Sequence, residues 1–315
     1  MQPIIQVTDL VKRYRKAARN AVDGISFEVM RGELFALLGP NGAGKTTTIS
    51  ILTTTLAPTS GQVTIAGYDL LRQAPEVRRH VGIIFQNPSL DLNLTAEENV
   101  RFHAVLYGLY PFRPAFSMMP RAYKDHIESL AHILDLDQDI FKPVRQFSGG
   151  MKRKLEIIRS LMHRPEVLFL DEPTSGLDPQ SRIALWDYLR QVRAEHGTTI
   201  CLTTHYLEEA DQADRVCIVN KGRIVSYGSV AEVKSNLIDE HLLVDAADRA
   251  SLRAELQAEG IAFSETPLFR IRLNGHNTHQ VLKAIQTPLT VVQTHQPTLE
   301  DAYLKIIGPE EDHND

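Results

Sequence analysis

Cysteine is scarce in this chain, with two residues in 315. Cys201 in TICLT and Cys217 in RVCIV each lie inside a strand-like apolar run. That spacing suits neither a disulfide framework nor a metal site, so both are expected to be reduced core residues, as in a cytosolic compartment. No apolar run approaches the roughly 20 residues that cross a bilayer. The opening MQPIIQVTDLVKRY lacks the long apolar stretch of a signal peptide, so any membrane role is expected to come through a partner. Basic charge is not in excess: 34 Lys and Arg against 39 Asp and Glu leave a net charge of −5, which offers no general surface for nucleic acid. Internal repeats and low-complexity segments are absent as well. What is present, 43% hydrophobic and 23% charged residues, is the composition of a folded globular protein long enough for one large core and a second small one.

Up to about residue 30, short β-branched runs (Ile4 to Val7, Ile25 to Val29) alternate with polar turns and predict an antiparallel strand layer. Continuous apolar runs follow at Leu34 to Leu38, Val81 to Phe85, Val167 to Leu170, Thr199 to Leu202 and Val216 to Val219. Such runs belong to strands buried on both faces, and with interleaved helical segments they predict an α/β sheet. Between about 95 and 165 the strand signal gives way to a helical insertion, opened by the capping-box spacing of Thr95 and Glu98 and continued by a helix over Tyr123 to Leu134. The segment 108–120 holds three prolines and several large apolar side chains and cannot be regular helix. It reads either as a loop folded onto its own helices or as a partner-docking patch. The resulting organisation is a sheet domain over 1–230, a small α+β accessory domain over 231–308 and an acidic tail over 309–315. In the accessory part, strands are expected at Leu242 to Val244 and Phe269 to Leu273, and helices at Asp248 to Glu259, Asn277 to Gln286 and Leu299 to Ile307.

Chemistry concentrates in three strings. GPNGAGKTT at 39–47 matches the phosphate-binding loop pattern, between a buried strand and a helical run. Gly39, Gly42 and Gly44 let the backbone, with Pro40, Asn41 and Ala43, curl its N–H groups inward, and the following helix adds its positive end. Lys45 is placed to reach the β and γ phosphates of a nucleotide, Thr46 to offer a hydroxyl to Mg²⁺, and Thr47 follows at the helix start. VLFLDEPTSGLD at 167–178 puts Asp171 at a strand end, where it can assist in holding Mg²⁺, and Glu172 next to it as the candidate base for an attacking water. In FSGGMKRK at 147–154, Ser148 can cap a helix whose N-terminus is an anion site. Lys152, Arg153 and Lys154 then read either as a solvated face or as charge that attracts a phosphate-bearing ligand.

Together the three strings resemble the ATP-binding subunits of ABC transporters, over residues about 4 to 228. The resemblance implies a P-loop NTPase fold and a head-to-tail pair of subunits, each ATP being held between one phosphate loop and the partner's Ser148, Gly149 and Gly150. It further implies that Gln86 touches Mg²⁺ and the attacking water, that His205 contacts the γ phosphate, that Asp178 couples the two sites and that Tyr14 stacks on adenine. Phe147 departs from the leucine commonest at that position, with its packing role preserved. TTTLAPTSG at 53–61, PQSR at 179–182 and PTLEDAYLKIIG at 297–308 look like the branch that energises separately encoded export permeases, including antibiotic-resistance exporters of the daunorubicin type. The expected partners are therefore a second copy or a paired ABC subunit and an integral membrane permease, with no nucleic acid. The expected place is the cytoplasmic face of the membrane. The alternative is a soluble, non-transport ABC ATPase acting on ribosome or nucleic acid.

Overall fold

In the computed structural model, which describes residues 2–85, 89–237, 241–265, 267–273, 278–295 and 298–308, the chain divides into two compact units, Met1–Tyr227 and Gly228–Asp315. The run Leu34–Leu38 is strand β3 and is buried at every position, because strands flank it on both sides and apolar side chains cover both faces. It lies within a six-stranded sheet of order β10-β9-β3-β8-β7-β6, built from β6 (Val81–Ile84), β7 (Val167–Asp171), β8 (Thr199–Thr204), β9 (Arg215–Asn220) and β10 (Arg223–Ser229). The β9-β3-β8-β7-β6 stretch is parallel throughout. A second, four-stranded antiparallel sheet of order β2-β1-β4-β5 comprises β1 (Pro3–Lys12), β2 (Val22–Met30), β4 (Ser60–Ile65) and β5 (Tyr68–Asp69). One core joins the two sheets: Phe27 of β2 stacks on Phe35 of β3 at 5.2 Å between ring centroids, and Ile5, Leu10, Phe169 and both cysteines belong to the same cluster.

Helices α1 (Lys45–Leu52) and α2 (Ala74–His80) accompany the sheets. The insertion consists of α3 (Ala96–Leu106), α4 (Arg121–Ile133) and α5 (Gly149–Leu161). The capping box expected at Thr95 and Glu98 is formed. Segment 108–120 folds back on these helices: Phe112 stacks on Phe102, and Tyr110 and Phe116 meet the buried Tyr123 edge-on. Leu106, Phe112 and Met118 nevertheless stay exposed. Helices α6 (Pro179–His196) and α7 (Leu207–Ala210) complete the first unit.

The second unit runs α8 (Val230–Leu237), β11 (His241–Ala246), α9 (Arg249–Ala258), β12 (Phe263–Glu265), β13 (Phe269–Arg272), α10 (Thr278–Ala284), β14 (Leu289–His295) and α11 (Leu299–Ile307). Its four strands form a sheet of order β12-β13-β11-β14. Strands β11 and β13 alternate, so Leu242, Val244, Phe269 and Ile271 pack with Leu252, Leu256 and Val281 of the helices, and the intervening residues occupy the other face. Sequence patterning misses β12 and β14. The first is three residues long, and the second is a largely exposed edge strand without the alternation that identifies a half-buried one.

Candidate functional site

Parallel strands deliver their carboxyl ends to one edge, and in open α/β sheets that edge is where ligands bind. Here β3, β8 and β7 are neighbours. The phosphate loop follows β3, Asp171 closes β7 and His205 follows β8, so three segments far apart in sequence meet at one place.

The loop's shape depends on glycine. A Cβ at Gly39 would come within 2.2 Å of the Val219 carbonyl oxygen, and one at Gly44 within 2.4 Å of the Ala21 carbonyl oxygen; Gly44 also has φ +106°. Helix α1 starts directly afterwards with no side-chain cap, so its first N–H groups are free for an anion. Lys45 is 5% exposed and its Nζ donates to the carbonyls of Gly39 (2.7 Å) and Pro40 (3.1 Å). Burial pushes its pKa down, against the opposing pull of Glu172 and Asp171. The ammonium is therefore held inside the loop that would receive phosphate. Thr47 accepts or donates a 3.2 Å hydrogen bond with the hydroxyl of Tyr14, and the Tyr14 ring is half-exposed beside the loop, with Lys12 Nζ 5.6 Å from its centroid.

The two adjacent carboxylates diverge. Asp171 accepts from Thr203 Oγ1 at 2.5 Å and from Thr46 Oγ1 at 3.4 Å. One hydroxyl and one carboxylate form the oxygen set that Mg²⁺ takes when phosphates and water complete its shell, and these residues fit that ion. Glu172 turns the other way, with its backbone at φ +46° and its N–H bonded to Thr203 Oγ1 at 3.1 Å. Its Oε1 lies 3.2 Å from His205 Nδ1.

The Ser148 turn is organised separately. Ser148 Oγ caps α5 by accepting from Met151 N at 3.2 Å. A Cβ at Gly149 would meet nothing within 4 Å, whereas one at Gly150 would come 2.9 Å from Ser181 Oγ. Ser181 is in turn bonded by Asp178, the N-cap of α6, at 3.0 Å through its N–H and 2.6 Å through its hydroxyl. These bonds hold the Asp178 carboxyl below its ordinary pKa. The structure thus brings Lys45, Thr46, Asp171, Glu172 and His205 together, and Asp178 beside Gly150. Among the described residues no hydrogen bond links 148–150 to 39–47 within one chain. Gln86 lies outside the described residues, as does the acidic tail 309–315.

Of the basic run after the Ser148 turn, Arg153 departs from both readings of its sequence. It is 6% exposed and donates to the carbonyls of Phe85, Pro173 and Asp171 and to Glu156. Glu156 accepts from Ser89 N at 3.0 Å, and Arg159 bonds the Ser89 carbonyl and hydroxyl, each at 2.6 Å. Helix α5 is therefore fastened to both flanks of Gln86 and to the end of β7. Sequence reasoning missed this clasp. Its one available signal was a Glu three residues after an Arg on a helix, and such pairs are ordinary on helix surfaces.

The family model for ABC transporters matches residues 22–175. A daunorubicin resistance ATP-binding protein of Streptomyces coeruleorubidus is 35% identical over 314 residues, covering 96% of each chain. A Nod factor export ATP-binding protein of Ralstonia nicotianae is 37% identical over 98% of this chain and 95% of its own. Among solved structures, an ATP-binding subunit of an ABC transporter superposes with TM-score 0.65 at 32% identity, over 74% of this chain and 92% of that one. A dimeric ATP-binding cassette in a post-hydrolysis state with ADP and Pi shares the fold at 24% identity and TM-score 0.64, over 71% of this chain and 98% of that one.

Proposed function

The chain belongs to the ATP-binding subunits of ABC transporters and is an ATPase, and from that premise we propose that it energises export through a separate membrane permease. Two copies, or this chain and a paired ABC subunit, would close on two ATP molecules, each held by residues 39–47 of one subunit and 148–150 of the other. The open face at Gly149 and the free N-terminus of α1 support such a shared site. Mg²⁺ held by Thr46 and Asp171, with Gln86 as a further candidate contact, would neutralise charge on the β and γ oxygens. Lys45 binds and orients the phosphates. Glu172 accepts the proton of the attacking water while His205, 3.2 Å away, keeps that carboxylate in place and reaches for the γ phosphate. Because the γ phosphate bridges both subunits and is lost on hydrolysis, binding closes the pair and hydrolysis reopens it.

The observation that carries this reading is the convergence of Lys45, Asp171, Glu172 and His205 at the carboxyl ends of three adjacent strands. The names of the relatives, daunorubicin resistance and Nod factor export, point to a drug or a Nod factor as cargo class. No helix among the described residues is long and apolar enough to cross a membrane, so the pathway itself would belong to the permease. The exposed Leu106, Phe112 and Met118 are then candidates to meet that partner. Purifying the Glu172→Gln protein from membranes with ATP tests the proposal. Recovery of a multi-spanning membrane protein is expected, whereas recovery of ribosomal or nucleic-acid-bound material alone would replace this reading with that of a soluble ABC ATPase.

A further inference from the structure

The second unit contains a cavity of about 560 Å³, within the range of small-molecule sites. It is lined only by residues between His241 and Lys305, none of which takes part in the nucleotide site. The cavity lies on the sheet face opposite the unit's apolar core. Strand alternation puts Arg270 and Arg272 there, because Phe269 and Ile271 between and beside them face the core. Residues i and i+2 of a strand share a face about 7 Å apart, so two guanidinium groups stand side by side. Lys305 of α11 adds a third cation to the lining.

Among the described residues, neither Arg270 nor Arg272 is paired with a carboxylate. The one carboxylate in the lining, Asp301, is already engaged: it accepts from Thr298 N at 3.0 Å, from Thr298 Oγ1 at 2.6 Å and from His295 Nε2 at 2.9 Å. Asp245, on the same face of β11, is taken by Arg249 at 3.3 Å. Side by side on an exposed face, the two cations repel only weakly in water, and guanidinium forks are the groups that hold carboxylate or phosphate bidentately. The rest of the lining is different in kind. Leu243 and Leu304 are apolar, and His241 stacks on His295 at 4.3 Å between ring centroids.

We propose that this cavity is a binding site for a small amphipathic anion, whose carboxylate or phosphate is held by Arg270, Arg272 and Lys305 and whose apolar or aromatic body rests on Leu243 and Leu304. The site does not depend on the transport reading. Calorimetric titration of the full chain, with the nucleotide site filled by ADP and Mg²⁺, tests it using 2-naphthoate, 2-naphthyl phosphate and neutral 2-naphthol as probes. Saturable binding of at least one anionic probe is expected. It should weaken tenfold or more in the Arg270→Gln/Arg272→Gln protein and in Lys305→Glu, both of which should bind ATP as the wild type does. The ratio between the two anionic probes identifies the preferred head group. Absence of saturable binding by both anions, equal binding by 2-naphthol, or undiminished binding by the doubly substituted protein would overturn the proposal.

Discussion

Glu172 holds a left-handed backbone conformation, at φ +46°, that costs a non-glycine residue on the order of 1–3 kcal/mol. The turn separates its carboxylate from that of Asp171 and leaves it against His205. Replacing it by Gln keeps the shape and removes the proposed base. Steady-state ATP turnover is therefore expected to fall on the order of 10²-fold or more while ATP binding, read by equilibrium titration, stays near wild type. Turnover close to wild type would shift the role of base elsewhere. Arg153→Met is expected to cost about 3 kcal/mol, because it strips three backbone carbonyls and leaves Glu156 buried beside fewer cations; Lys152→Met, on a partly exposed side chain, should cost under about 0.5 kcal/mol. Thermal denaturation of the two variants checks the contrast. The difference explains what sequence can reveal at this scale. Lys45, Thr46, Asp171 and Glu172 were legible because the chemistry of each depends on its immediate neighbours in a motif. Arg153 was not, because its burial is decided by acceptors 20 and 68 residues away.

Helices α3 and α5 meet through a row of rings, His103 on Tyr107 at 4.4 Å and Tyr107 on His163 at 4.5 Å, and His163 Nε2 bonds the Val81 carbonyl at 2.8 Å. Burial, reinforced by Arg159 and His163, pushes the His103 pKa down from 6.5 to about 3. Burial also lowers His163, and it lowers His126 of α4 with help from Arg164 and His196. Unfolded, these imidazoles take up protons near pH 6.5 that the folded chain refuses. Their contribution to stability is thus fully present above about pH 6.5 and is lost as pH falls from there, for His103 toward about 3. The melting temperature is expected to drop between pH 7 and 5, and His103→Phe should flatten that slope; a slope unchanged by the substitution would exclude His103 as its source. The apolar periodicities of α4 and α11 made those elements readable to within two residues of their ends, since one face of each is buried. By contrast, β14 is an edge strand stabilised mainly by its backbone bonds to β11, a pairing that leaves little trace in side-chain pattern.

For the whole molecule, the shared-site proposal has a direct expression in mass. Glu172→Gln with ATP should convert from 35.4 kDa to twice that value by light scattering and return on ATP removal; a mass independent of ATP would argue against closure by the nucleotide. The cut between the units falls after Tyr227, and a chain ended after Ser229, which keeps all of β10, should bind ATP within about threefold of the full chain by RT ln reasoning on an intact site. The two cysteines give this architecture a built-in reporter. Cys201 and Cys217 lie on the strands to either side of β3, in register with Phe35 and Leu37. Both are essentially inaccessible, and burial drives their thiols well above the ordinary range. The folded protein is therefore silent to alkylating reagents, and modification can proceed only when the central sheet opens beside the strand that carries the phosphate loop. Alkylation rate becomes a clock for that opening, one that bound nucleotide should slow in proportion to its affinity, and any single cysteine placed on the surface would report without background.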